Sequence, residues 1–142
     1  MRRITMLGVV LVVLGFAVRM SSEGINQGGG GGQVDIGASG TDFMRVCANV
    51  GGAVGKDAQQ GQNDATCLGW VEGFADGFTV HDELLGVPRT DRLVCIPKNV
   101  TNAQIVGVIR KYISGNPDKA HRATRLVAAL ALAKAFSCKR AG

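Results

Sequence analysis

From residue 41 onward, apolar side chains recur every three or four positions, the period of a helix that turns one face to a core. Phe43, Met44, Val46, Cys47 and Val50 mark a first short helix. Thr41 is its expected N-cap, and Gly51 and Gly52 follow its end. The polar stretch 55–64 reads as a surface loop, and Asp64 at its end can cap a second helix. That helix carries Cys67, Val71, Phe74 and Phe78 at core spacing and is expected to run to about Val80. Residues 81–93, HDELLGVPRTDRL, contain Gly86 and Pro88 and read as a loop with room for one helical turn. Residues 94–97 are extended. At the start of a third helix, Thr101 and Gln104 form a capping box, and Val100 and Ile105 stand at the positions of a hydrophobic staple. It carries Ile105, Val108, Ile109, Tyr112 and Ile113. Gly115 is expected to end it in the left-handed conformation, with Pro117 behind. A last helix, about 120–137, carries Ala123, Leu126, Val127, Leu130, Ala133 and Phe136. No strand pair is evident, so the expected fold class is all-α, a small bundle of four main helices.

The second helix also carries Gly69, Gly73 and Gly77, four residues apart. A glycine inside a helix costs about 1 kcal/mol relative to alanine, so three on one face need a reason. A bare stripe lets another helix approach closely, and the alanine-rich last helix is the natural neighbour. These glycines are therefore expected to serve helix packing; the other use of such a groove is to receive a second copy or a partner. Membrane-type pairing is disfavoured by Glu72 and Asp76 in the same stretch.

Before residue 41 the pattern changes. Arg2 and Arg3 precede thirteen apolar residues, 6–18, and then Ser21, Ser22 and Gly24. This is the layout of a secretory signal, assigned to 1–24. The run is short for a membrane span, which needs about 20 residues. An uncleaved anchor is the alternative, and only then would the membrane be a partner. Residues 25–40 include five consecutive glycines, 28–32, and read as a flexible linker. They lack the flanking strand and Lys-Ser/Thr of a phosphate-binding loop. The folded domain is expected at 41–138, with a short tail at 139–142.

The 142 residues carry a net charge of +5. Removing Arg2, Arg3, Arg19 and Glu23 with the signal leaves 13 basic and 10 acidic side chains, or +3. That balance aids solubility. Nucleic acid is not an expected partner, because no basic run is interleaved with aromatics. The four cysteines, Cys47, Cys67, Cys95 and Cys138, all fall in the expected domain. An even count in a small exported domain implies two disulfides. Their separations of 20, 28 and 43 residues give no compact zinc set. Three pairings are possible. Antiparallel packing of consecutive helices would bring together Cys47 with Cys67 and Cys95 with Cys138. Each bond would contribute about 3–4 kcal/mol in the chain-entropy picture. Oxidised cysteines cannot serve a Cys-His mechanism, and His81 and His121 belong to no hydrolase or metalloprotease motif. No catalytic residue, metal site or cofactor is expected, and the protein does not read as an enzyme.

Several local patterns together carry a resemblance. They are Cys67-x-Gly69-Trp70-Val71-x-Gly73-Phe74-x-Asp76-Gly77, then Cys95-Ile96-Pro97, Val100-Thr101-x-x-Gln104, Lys111-Tyr112-Ile113, Asn116-Pro117, His121, Leu126-Val127, Ala129-Leu130 and Ala135-Phe136-x-Cys138. In this order and spacing the chain resembles the Rap/Tai family of type VI secretion amidase-immunity proteins, over about residues 41–138. The resemblance implies a periplasmic all-helical protein, often a homodimer. It also implies a protein partner, a secreted cell-wall amidase whose active site the immunity protein blocks. The last helix departs from the family in lacking a proline near Ala123, and Ser137 stands before the final cysteine where proline is common.

Obstructing a substrate groove suits a protruding loop. The candidate read from the residues is the segment 81–92. His81, Asp82, Glu83, Arg89 and Asp91 could pair with charges across an interface, and Leu84, Leu85 and Val87 could supply its apolar centre. Residues 56–64 are a second candidate. The alternative function is a periplasmic chaperone of the acid-stress type.

Overall fold

The computed structural model describes residues 34–52 and 57–138. The expected signal 1–24, the linker up to residue 33, Lys56 of the second candidate loop and the tail 139–142 lie outside the described residues. The described chain forms four α-helices and no strand: α1 Gly40–Val46, α2 Ala58–Leu84, α3 Asn102–Ser114 and α4 Thr124–Ala135. Single 3₁₀ turns at Arg89–Asp91 and Pro117–Lys119 precede α3 and α4. The fold is all-α, as the apolar period implies.

The first helix starts earlier than its pattern suggests. Ser39, not Thr41, is the N-cap, and its hydroxyl accepts the Asp42 amide at 3.2 Å. Thr41 is needed elsewhere: its amide donates to the Ala120 carbonyl at 2.9 Å, and the Gly40 amide donates to Arg122 at 3.0 Å. Gly40 is buried so tightly that a Cβ would lie 3.0 Å from the Ala120 oxygen, so any larger residue would press on the Ala120 backbone. Ile36 is already in the core. The buried Thr124 hydroxyl lies 2.6 Å from the Ile36 carbonyl and 2.7 Å from that of Ser39. Residues 36–40, glycine-rich by composition, are thus packed rather than tethering.

The second helix is longer than expected at both ends. Asp57 caps it by accepting the Gln60 amide at 2.8 Å, and Asp64 lies inside it. The polar stretch 57–64 is two solvated turns of helix, since polarity marks exposure and not loop structure. The helix continues to Leu84. In α3 the capping box is present, with the Thr101 amide donating to Gln104 Oε1 at 2.8 Å and the Gln104 amide to the Thr101 hydroxyl at 3.3 Å. Its end differs from expectation: Gly115 has φ −83° and is right-handed. The Asn116 side chain donates to the Tyr112 carbonyl at 2.8 Å, satisfying a terminal acceptor that a left-handed cap would otherwise serve.

The core gathers Phe43 and Val46 of α1, Val71 of α2, Ile105, Val106, Ile109 and Ile113 of α3, and Val127, Ala131 and Leu132 of α4. Both expected disulfides are formed. Cys47–Cys67 joins the end of α1 to α2 across 5.3 Å between Cα atoms, and Cys95–Cys138 joins the segment before α3 to the end of α4 across 5.1 Å.

The glycine stripe is not filled by the last helix. A Cβ at Gly69, Gly73 or Gly77 would meet no atom within 4 Å. The reason is helical phase. Gly69 and Gly73 each follow a buried residue, Cys67 and Val71, by two positions, which is about 200° around a helix. The buried side of α4, Val127, Ala128, Ala131 and Leu132, belongs to the common core instead.

Candidate partner-binding surface

Past Val71, α2 touches the core only through the half-buried Phe74, Ala75 and Phe78. Its remaining turns bury only Asp82. An aromatic ladder runs outward along it. Phe43 meets Trp70 edge-on at 5.7 Å, Trp70 stacks on Phe74 at 4.9 Å, and Phe74 meets Phe78 edge-on at 5.3 Å. Each such pair contributes about 0.5–1.5 kcal/mol beyond the apolar area it buries. At its end the chain turns back through Gly86, whose φ of +61° is one that L side chains rarely adopt. Pro88 and the turn Arg89–Asp91 lead it back toward α2. Between Phe74 and Phe78 on the helix and Val87 and Leu93 on the returning chain lies a groove of about 570 Å³.

Of the apolar side chains expected in this segment, Leu84 and Leu85 are presented, whereas Val87 is half-buried and lines the groove. Leu84 is 81% exposed and Leu85 67%, with Val80 and Leu93 also exposed nearby. Of the expected charges, His81, Glu83, Arg89 and Asp91 face solvent. Asp82 does not, and this corrects its assignment as a partner contact. Its side chain is only 8% exposed. One carboxylate oxygen lies 3.1 Å from His81 Nδ1 and the other 3.9 Å from Arg92 Nε. The same Nε donates to the Val87 carbonyl at 3.1 Å, and the Val87 amide donates to the Asp82 carbonyl at 2.8 Å. Arg92 went unnoticed in the sequence. Its one signal is a base ten residues after a buried acid, which shows only once the loop is known to fold back.

The second candidate, 57–64, is the exposed start of α2 and not a protruding loop. His121 is exposed in the turn before α4. Among the described residues no three His, Cys, Asp or Glu side chains gather in a way that could hold a metal. Charge is divided between the middle of the chain and its C-terminal part. Residues 57–88 hold six carboxylates and no Lys or Arg, whereas 98–138 hold seven Lys and Arg and one carboxylate.

A family model described as Rap1a immunity proteins matches residues 39–138. The chain belongs to the Rap1a immunity protein family. No curated protein and no solved structure matches it. The matched segment opens at Ser39, the cap of α1, and closes at Cys138, the last disulfide cysteine. An immunity protein acts by binding an effector protein, so membership directs attention to surfaces that can meet a partner. Among the described residues of this Rap1a chain, the most exposed large apolar side chains are Leu84 and Leu85, at the end of α2 and just beyond it.

Proposed function

We propose that this Rap1a protein works in the periplasm, where it binds a peptidoglycan amidase delivered by a type VI secretion system and blocks its active site. It does so as a stoichiometric inhibitor, without catalysis of its own. The observation that carries the reading is the presented pair Leu84 and Leu85 at the far end of a helix tied into the core by a disulfide. Interface energy concentrates in a few apolar or aromatic anchors surrounded by polar contacts. Here exposed Glu83, Arg89 and Asp91 surround the leucines. Two disulfides and membership of the immunity family support an exported protein.

The test is to express the full chain with export to an oxidising compartment and mix it with each cell-wall amidase of the same genome. Nanomolar binding and loss of peptidoglycan cleavage at one inhibitor per enzyme are expected, in a complex that light scattering finds to hold two copies of each chain. Leu84→Ala with Leu85→Ala should weaken binding at least about tenfold, the loss typical of a truncated anchor. Undiminished cleavage by every amidase at excess inhibitor would overturn the reading. Suppression of aggregation at low pH would then favour the chaperone alternative.

A further inference from the structure

Leu84 and Leu85 are exposed at a tip that turns back beside the groove lined by Phe74, Phe78, Val87 and Leu93. At the base of the loop Asp82, Val87 and Arg92 touch one another pairwise. The Val87 amide donates to the Asp82 carbonyl at 2.8 Å, Arg92 Nε donates to the Val87 carbonyl at 3.1 Å, and that Nε lies 3.9 Å from the Asp82 carboxylate. The circuit encloses residues 83–91. Two exposed charges so arranged would contribute little. Here the carboxylate is 8% exposed and the guanidinium 31%, and His81, 3.1 Å from the other carboxylate oxygen, is 64% exposed, so Arg92 is the more buried of the two bases beside the acid and its removal is disfavoured.

We propose that Asp82 and Arg92 are positioning residues that hold 83–91 as a preformed loop, with Leu84 and Leu85 kept out of the adjoining groove and ready for a partner. The proposal rests on the reading of this loop as the inhibitory element. Neither residue needs to touch the partner. When only a fraction of molecules is binding-competent, the apparent affinity falls by that fraction, and a preformed loop avoids the ordering cost of association.

Amide hydrogen exchange of the full oxidised chain tests this without a partner. Asp82→Asn and Arg92→Gln are compared with each other, with their double variant and with Lys98→Gln, a charge removed outside the circuit. Each single variant should speed exchange at Leu85, Val87 and Asp91 about tenfold, and the double variant no further, while α3 amides change less than about twofold. Arg92→Lys should rescue only part of the protection, since lysine keeps the charge but lacks the Nε–H that donates to the Val87 carbonyl. Against the amidase, the same variants should slow association about tenfold and leave dissociation unchanged, whereas Leu84→Ala should speed dissociation. Equal acceleration in α3 and the loop would overturn the proposal by showing a role in overall stability alone. Unchanged loop exchange would overturn it directly. If Asp82→Asn does not fold, the two Arg92 variants decide. If the native protein binds no amidase, the inhibitory reading falls, and exchange alone shows whether the circuit holds the loop.

Discussion

Helices α4 and α2 make opposite use of their length. The twelve residues of α4 bury five, Thr124, Val127, Ala128, Ala131 and Leu132. The 27 residues of α2 bury three, and only Asp82 lies beyond Val71. One helix is consumed by the core. The other is anchored at Cys67 and Val71 and then projects, with glycines on its bare face and leucines at its end. The difference shows that this chain separates the residues that make it stable from those available to a partner. The outer half of α2 adds only the half-buried Phe74, Ala75 and Phe78 to the core's flank, which leaves its glycines and terminal leucines in water.

That separation can be broken experimentally. The largest effect should come from the staples: Cys95→Ser with Cys138→Ser opens a 43-residue span and should lower unfolding free energy in urea by about 4 kcal/mol, with about 3 for the 20-residue pair Cys47–Cys67. Next, Leu132→Ala should lose about 3 kcal/mol as a cavity opens in the core, while Leu84→Ala should change stability by less than about 0.5 kcal/mol. Equal losses for the two leucines would abolish the distinction between the regions. Thr101→Ala removes the capping box of α3 and should cost about 1 kcal/mol by the same measurement. Smallest, and of opposite sign, Gly73→Ala and Gly77→Ala should each stabilise the isolated protein by about 0.5–1 kcal/mol. Absence of that gain would mean that something in solution already covers the face.

The features legible in the sequence were local ones or consequences of simple topology. The capping box at Thr101 and Gln104 is complete within four residues, and the disulfide pairing follows from helices that succeed one another antiparallel. The misread features depend on distant partners. Thr41 lost the N-cap role because Ala120 and Arg122 claim the amides beside it. Residues 36–40 looked like linker because the hydroxyl that fixes them, that of Thr124, lies more than 80 positions away. Asp82 looked like a contact residue because nothing near it in sequence announces that Arg92 returns. The glycine stripe was seen, but its direction was not. A two-residue offset from the buried positions turns it out of the core, so that Gly73 and Gly77 line the groove beside the returning loop.

From Val71 to Leu84 the helix rises about 20 Å, so a tilt of only 5° at its root would sweep the tip through about 2 Å. Mechanically, α2 is a boom, and the segment that returns through Arg92 to Cys95 is its stay, moored to the last helix by Cys95–Cys138. A boom with one stay is rigid in the plane of the stay and compliant across it. The tip can therefore adjust sideways while its reach stays fixed.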